Sequence, residues 1–157
     1  MKILVCGGAG FIGSAFIRNY LNNNPKDKII NLDSLTIGSN LKNLKKIEQN
    51  KNYQFIKGDI KNQKVVNDLV RDVDTIINFA AESHVDRSIA NPKPFIETNI
   101  LGTYSLLEAT KKYDSLFIHV STDEVYGDAE NEDSFTEKSI INPSNPYSAT
   151  KASADHL

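Results

Sequence analysis

The stretch that most constrains this chain is Gly7-Gly8-Ala9-Gly10-Phe11-Ile12-Gly13. It follows a short apolar run, Ile3-Leu4-Val5-Cys6, and leads into a helical pattern from Phe11 to Leu21. The string fits G-x-G-x-x-G from Gly8 and G-x-x-G-x-x-G from Gly7. Glycines let the backbone turn sharply and approach a pyrophosphate with no Cβ in the way. A helix that starts there offers unpaired N–H groups and the positive end of its dipole to an anion. The same glycines would also suit a plain tight turn, so the flanking chain must decide.

The flanks supply what a dinucleotide needs: a strand before, a helix after, and an acid downstream. Lys28-Ile29-Ile30-Asn31-Leu32-Asp33 reads as a second strand, and Asp33 lies twenty residues beyond Gly13. A carboxylate there can accept both ribose hydroxyls of an adenosine and would repel a 2′-phosphate. The expected cofactor is therefore NAD rather than NADP. Taken alone, Asp33 would read as a turn acid or a helix cap.

Strand-like runs recur at Lys2–Cys6, Lys28–Asp33, Tyr53–Lys57, Thr75–Phe79 and Leu116–Val120. Most are short and continuously apolar, as in strands buried on both faces. Between them lie helical patterns at Phe11–Leu21, Val65–Val70 and from about Pro94 to Lys112, with a poorly defined one at Asn40–Ile47. Alternating β and α elements predict a doubly wound α/β fold, a parallel sheet of order 3-2-1-4-5 with ligands at the carboxyl ends of its strands.

At 157 residues and 39% hydrophobic, the chain is one domain's worth and can bury a core. A net charge of −2 gives no electrostatic case for nucleic acid or an acidic membrane. A single cysteine excludes an intrachain disulfide and fits a reducing, cytoplasmic setting. The first apolar run stops at Gly7, too short for a signal peptide, and no run could span a bilayer. No metal is expected, because His84 has no second ligand at metal spacing.

The remaining motifs each follow a strand. Gly58-Asp59-Ile60 could meet an adenine, or Asp59 could cap a helix starting near Asn62. Phe79-Ala80-Ala81-Glu82-Ser83-His84-Val85-Asp86-Arg87-Ser88 reads as a polar substrate loop or a solvated one. Its small residues Ala80 and Ala81 would let a cofactor lie close. Asn99 and Gly102 both disfavour the helix they sit in, which points to close approach of a loop or cofactor.

Ser121-Thr122-Asp123-Glu124-Val125-Tyr126-Gly127 is the densest chemical cluster. Adjacent carboxylates in a cleft raise one another's pKa, so one can act as an acid and the other as a base. An exposed acidic turn is the plainer alternative. Asp128 to Pro146 reads as a loop, and a helix starts at Tyr147. Tyr147 and Lys151, four apart, share a helix face, where an ammonium would lower the phenol's pKa from about 10. Such a tyrosine can take a proton from an alcohol as hydride leaves its carbon.

On these residues the chain resembles the extended short-chain dehydrogenases/reductases, and within them the nucleotide-sugar 4,6-dehydratases. The family-wide signals are the glycine loop, Asn99 and the Tyr147/Lys151 pair. The subgroup signals are Ala80 to Ser88 and Ser121 to Gly127, with an Asp-Glu pair that related sugar-nucleotide epimerases lack. Cys6 replaces a common Thr, and Thr36-Ile37-Gly38-Ser39-Asn40 departs from the usual string around the adenosine. The resemblance implies NAD contacts at Gly7, Gly10, Phe11, Ile12, Gly13, Asp33, Ser34, Leu35, Thr36, Asp59 and Ile60. It extends them to Phe79, Ala80, Ala81, Ser83, Thr98, Tyr147 and Lys151. It places Ser83 and Thr122 at the sugar and makes Thr122, Asp123, Glu124, Tyr147 and Lys151 catalytic.

The implied reaction is a water elimination, a lyase reaction. C4 of the sugar is oxidised, water leaves across C5 and C6, and hydride returns to C6. The implied substrate is dTDP-glucose, with UDP-glucose left open, and the implied assembly is a homodimer. Because nothing stops the helix before His156-Leu157, and family members are roughly twice as long, the chain is expected to be an NAD-binding domain cut within its last helix. It would then lack the substrate domain, bind NAD, and turn over little by itself.

Overall fold

The computed structural model describes residues 1–129 and 134–157. The chain divides into two compact units, one of Met1–Ala80 with Ser105–Val120, the other of Ala81–Tyr104 with Ser121–Leu157.

The first unit is built on a five-stranded parallel sheet, β1 (Lys2–Cys6), β2 (Lys28–Asp33), β3 (Tyr53–Lys57), β4 (Thr75–Asn78) and β5 (Leu116–His119). The strand order is β3-β2-β1-β4-β5, all neighbours parallel, which is the doubly wound Rossmann arrangement expected from the alternating pattern. Successive residues of a strand face opposite sides, so the apolar runs feed two cores. Leu4, Cys6, Leu32 and Ile76 meet Val66, Val70, Leu106 and Ala109 on one face. Ile3, Val5, Ile29 and Ile77 meet Ile17, Leu21 and Leu44 on the other. Each of the Leu, Ile and Val side chains contributes about 1.5–3 kcal/mol when fully buried.

The helices follow from local signals. Helix α1 (Phe11–Asn23) buries Ile17 and Leu21, and runs two residues beyond the expected end. Helix α2 (Gln63–Val70) starts two residues earlier than its apolar pattern, because the Asn62 side chain accepts from Lys64 N and Val65 N. Asp59 therefore does not cap it; its carboxylate accepts from Lys61 N at 2.9 Å instead. The ill-defined pattern at Asn40–Ile47 is a 3₁₀ helix, Leu41–Ile47, capped by Asn40. Strands β4 and β5 each end one residue before the expected position. Phe79 N and Val120 N nonetheless still donate to Cys6 O and Asn78 O. Strand β5 is a sheet edge, as expected for the last strand, with Leu116 60% and Ile118 44% exposed.

The second unit departs more from the sequence reading. The polar stretch after β4 is not all loop: Val85–Ala90 forms helix α3. Its crowded polar side chains hide the helical spacing, but Ser88 faces inward at 0% exposure. The long helix from Pro94 is three pieces: α4 (Lys93–Phe95), a π-helical turn (Ile96–Gly102) and α5 (Thr103–Tyr113). From Ser105 onward α5 belongs to the first unit. Asp123–Tyr126 is a 3₁₀ turn. Helix α6 runs Pro146–Asp155, starting one residue early and ending before His156. The 130–133 part of the expected Asp128–Pro146 loop lies outside the described residues. Among the described residues no helix is long and apolar enough to cross a membrane.

Candidate active site

The glycine loop of the first unit is a tight cradle. Gly7 sits at φ +75°, and a Cβ there would lie 2.6 Å from Ala80 N. A Cβ at Gly13 would collide with Gly7 O. Gly10 N donates back to Gly7 O at 3.2 Å, and Ser14 N donates to Gly10 O at 3.0 Å. Gly10 is the N-cap of α1 and gives it no side-chain bond, and the first turn carries no acid. Phe11 and Ile12 stand 85% and 61% exposed beside those N–H groups. An uncapped 13-residue helix behind a loop with no room for a Cβ fits the pyrophosphate of a dinucleotide.

Asp33 ends β2 and is 4% exposed. Its Oδ2 accepts from Ala9 N at 2.9 Å, while Oδ1 accepts from Leu35 N and the Ser39 hydroxyl, each at 2.8 Å. Leu35 holds the left-handed conformation at φ +59°. The acid is thus part of the loop's own framework as well as a candidate ribose acceptor. Ser34 and Leu35 are half-buried and Thr36 exposed. Asp59 is half-buried and pairs with Lys61 at 3.5 Å. Ile60, at 4% exposure, packs into the apolar core on the α2 side of the sheet, so it offers little open surface to an adenine. Phe79 stacks obliquely on Phe16 with centroids 5.4 Å apart, and Ala80 N donates to Asn78 Oδ1 at 3.1 Å.

The second unit gathers the other candidates. Thr122 caps the 3₁₀ turn, its hydroxyl accepting from Glu124 N and donating to Asp123 Oδ1, both at 3.3 Å. The same hydroxyl acts on the Tyr147 phenol, whose pKa it lowers. Glu124 Oε2 accepts from the Asn145 amide at 3.1 Å. Asp123 is exposed and Glu124 half-buried, so the two carboxylates have different surroundings. Asn145 opens α6 with a capping box to Ser148, and Pro146 follows at the first helical position. Tyr147 is held from behind: its N–H donates to the buried Ser88 hydroxyl at 3.1 Å, and Phe95 meets its ring edge-on.

Tyr147 and Lys151 are both buried on α6, at 9% and 3% exposure. Their protonation corrects the sequence expectation. The phenol is raised above its usual 10, chiefly by burial, with Glu124 and Asp123 adding negative charge and the Thr122 bond opposing. Burial lowers the Lys151 ammonium to about 8, with Asp155 opposing. Burial and the two carboxylates thus decide the direction, and the lowering expected from spacing alone is not seen in the chain by itself.

The loop after β4 is pinned rather than loose. Asn99, 1% exposed in the π-helical turn, accepts from Glu82 N at 2.9 Å and donates to Glu82 O at 3.0 Å. It also donates to Thr150 Oγ1 at 3.0 Å, and so ties that loop to α6. Arg87 pairs with Glu82 at 3.2 Å. Ser83 is exposed, while Ala81 and Thr98 are half-buried.

The family model described as GDP-mannose 4,6 dehydratase matches residues 4–157. This chain belongs to the GDP-mannose 4,6-dehydratase family. The glycan biosynthesis protein Agl12 of Haloferax volcanii is 51% identical over all of this chain and 50% of its own length. A dTDP-glucose 4,6-dehydratase of Escherichia coli is 48% identical over the whole chain and 49% of its length. DesIV, a dTDP-glucose 4,6-dehydratase from Streptomyces venezuelae solved with NAD bound, superposes with a TM-score of 0.95. It is 45% identical, over 99% of this chain and 50% of that one. The chain spans about half the length of the curated relatives it matches.

In this member of the GDP-mannose 4,6-dehydratase family, sequence reasoning missed Asn145, Ser88 and Ser39. Asn145-Pro146 carried a readable signal, a capping residue followed by proline. Ser88 and Ser39 carried none, because only folding brings them to Tyr147 and Asp33.

Proposed function

We propose that this chain supplies the NAD loop and the acid–base residues of a dTDP-glucose 4,6-dehydratase. One observation carries the reading: Asn145, which caps the helix of Tyr147, also donates its side-chain amide to Glu124 Oε2 at 3.1 Å, so the phenol and the Asp123–Glu124 pair belong to one cluster. An alcohol oxidation needs only the Tyr147 end of that cluster. A second acid and base are needed only if water is also eliminated.

The glycine loop and the first turn of α1 would hold the pyrophosphate, and Asp33 the adenosine ribose. NAD held there would supply the hydride acceptor for oxidation at C4 and the hydride donor for reduction at C6. Tyr147, as phenolate, takes the 4-hydroxyl proton, and Thr122 holds that hydroxyl in line. Lys151 as ammonium favours the phenolate, whereas burial and the two carboxylates disfavour it. The 4-ketone acidifies the C5 proton, which Glu124 takes as general base. Asp123 gives a proton to the departing 6-hydroxyl, and water leaves. The Asn145 amide fixes the Glu124 carboxylate for its step.

The cytoplasm is proposed as the location, on one buried free thiol, Cys6. A homodimer built on α6 is proposed from the family resemblance, and sedimentation at micromolar concentration tests it. The test of function is incubation of a protein of the relatives' full length that carries this chain with dTDP-glucose or UDP-glucose and NAD; residues 1–157 alone should bind NAD with little turnover. The 4-keto-6-deoxy product is expected from dTDP-glucose. Formation of the 4-epimer by the full-length protein, or NAD binding with no sugar-nucleotide turnover by it, would overturn the reading.

A further inference from the structure

Asp33 is a clasp with two arms. Its Oδ2 holds the glycine loop through Ala9 N at 2.9 Å, and its Oδ1 holds the following turn through the Ser39 hydroxyl at 2.8 Å. The turn closes the circuit on its own backbone, because Asn40 N donates to Ala9 O at 2.9 Å. Ser39 N donates to Thr36 O at 3.1 Å, and Gly38 takes φ +92° in open space. That left-handed residue lets the chain double back and bring Ser39 onto the acid six residues before it. The segment then runs into the 3₁₀ helix Leu41–Ile47, which Arg18 of α1 holds through Asn43 O at 2.7 Å.

A carboxylate has about four acceptor positions. Three are taken here by Ala9 N, Leu35 N and the Ser39 hydroxyl, in a site that is 4% exposed. Of these donors, only the Ser39 hydroxyl comes from a side chain and can rotate. It shares Oδ1 with Leu35 N and so adds a second hold on the carboxylate from the turn side, without adding charge.

We propose that Ser39 is a positioning residue for cofactor choice: it fixes the Asp33 carboxylate so that it accepts a ribose hydroxyl and repels a 2′-phosphate. This rests on the NAD reading given above. Without the hydroxyl, the turn loses its side-chain tie to Asp33, and the carboxylate is aimed by two backbone groups only. Aim matters most for the hydrogen bonds to the ribose, which are directional. It matters equally for repulsion, which falls as the charge swings away from the 2′ position.

The test is calorimetric binding of NAD and of NADP to the purified protein and to its Ser39→Ala and Ser39→Thr variants, with melting temperatures alongside. Ser39→Ala is expected to weaken NAD by about tenfold and NADP by less, so that the NAD/NADP preference falls. Ser39→Thr keeps the hydroxyl and should restore both the affinity and the preference. Equal losses for both nucleotides together with a lower melting temperature would overturn the proposal in favour of a purely structural hydroxyl. So would a preference unchanged within about twofold in Ser39→Ala. If the unsubstituted protein binds neither nucleotide, the NAD reading itself fails and takes this inference with it.

Discussion

The Asn145 side chain does two jobs at once. Its Oδ1 accepts from Ser148 N at 2.9 Å and starts α6, while its Nδ2 donates to Glu124 Oε2 at 3.1 Å. The residue that fixes where Tyr147 begins its helix therefore also fixes the proposed C5 base. Asn145→Asp separates the two jobs. An aspartate caps a helix as well as an asparagine, but it places a carboxylate against Glu124 where a donor stood. Stability should change by less than about 1 kcal/mol, while solvent exchange of the C5 proton slows by an order of magnitude or more. Asn145→Ala should cost about 1 kcal/mol of stability as well. Normal exchange in Asn145→Asp would mean that the amide does not orient the base.

In a catalytically complete form of the protein, the proposed steps should come apart by mutation. Glu124→Gln removes the C5 base but leaves Thr122 and Tyr147 in place, so sugar oxidation should still show as transient absorbance near 340 nm. C5 exchange with deuterium should stop. Tyr147→Phe should abolish the absorbance change itself. A Glu124→Gln protein that exchanges C5 at the normal rate would remove Glu124 from the role.

The same pair of carboxylates acts on the phenol. Burial raises Tyr147, and Glu124 and Asp123 raise it further. Neutralising one carboxylate should let the phenol ionise at lower pH. In the ultraviolet tyrosinate titration of the protein, the component lost in Tyr147→Phe should lie above pH 10, and it should move down in Glu124→Gln. An upward move would contradict the assigned cause.

Asp33→Ala should weaken NAD by roughly 1–3 kcal/mol, the cost of a lost charged acceptor. It should also lower stability, because Ala9 N, Leu35 N and the Ser39 hydroxyl all lose their acceptor. Calorimetry gives the first quantity and denaturant unfolding the second. Unchanged NAD affinity would leave Asp33 with only its structural part.

The first unit was almost wholly legible in the sequence, because a strand buried on both faces writes itself as a continuous apolar run. Asp33 ends its strand and Tyr147 lies on its helix as the spacing predicts, but the spacing says less about their chemistry. Spacing put Lys151 one turn from Tyr147, and an ammonium one turn away should lower a phenol. Spacing does not reveal that both are buried, and burial decides the sign. Helix α3 was hidden because it is only six residues long and reverses the usual pattern, burying Ser88 while Ile89 stands exposed. Asn99 was readable as a misfit in its helix, and the misfit proved to be its bonds to Glu82 and Thr150.

Lys151 gives the last prediction its pH window. Burial disfavours the ammonium, which titrates near 8 in the folded chain against 10.5 when unfolded. Below pH 8 the lysine is protonated in both states, and folding bears the full cost of burying the charge. Between about 8 and 10.5 the unfolded chain binds a proton that the folded one does not, so stability rises with pH across that window. A shift of this size amounts to roughly 3 kcal/mol in all, most of it gained by pH 9.5. Other groups titrate there too, and Tyr147 pulls the opposite way above pH 10 because its folded value is raised. The quantity to follow is therefore the stability of the unsubstituted protein minus that of Lys151→Met, which keeps the length of the side chain without its charge. Guanidinium unfolding at pH 7 and pH 9.5 should show this difference rising by about 2 kcal/mol in favour of the lysine. A difference that stays flat would mean that the ammonium is not desolvated.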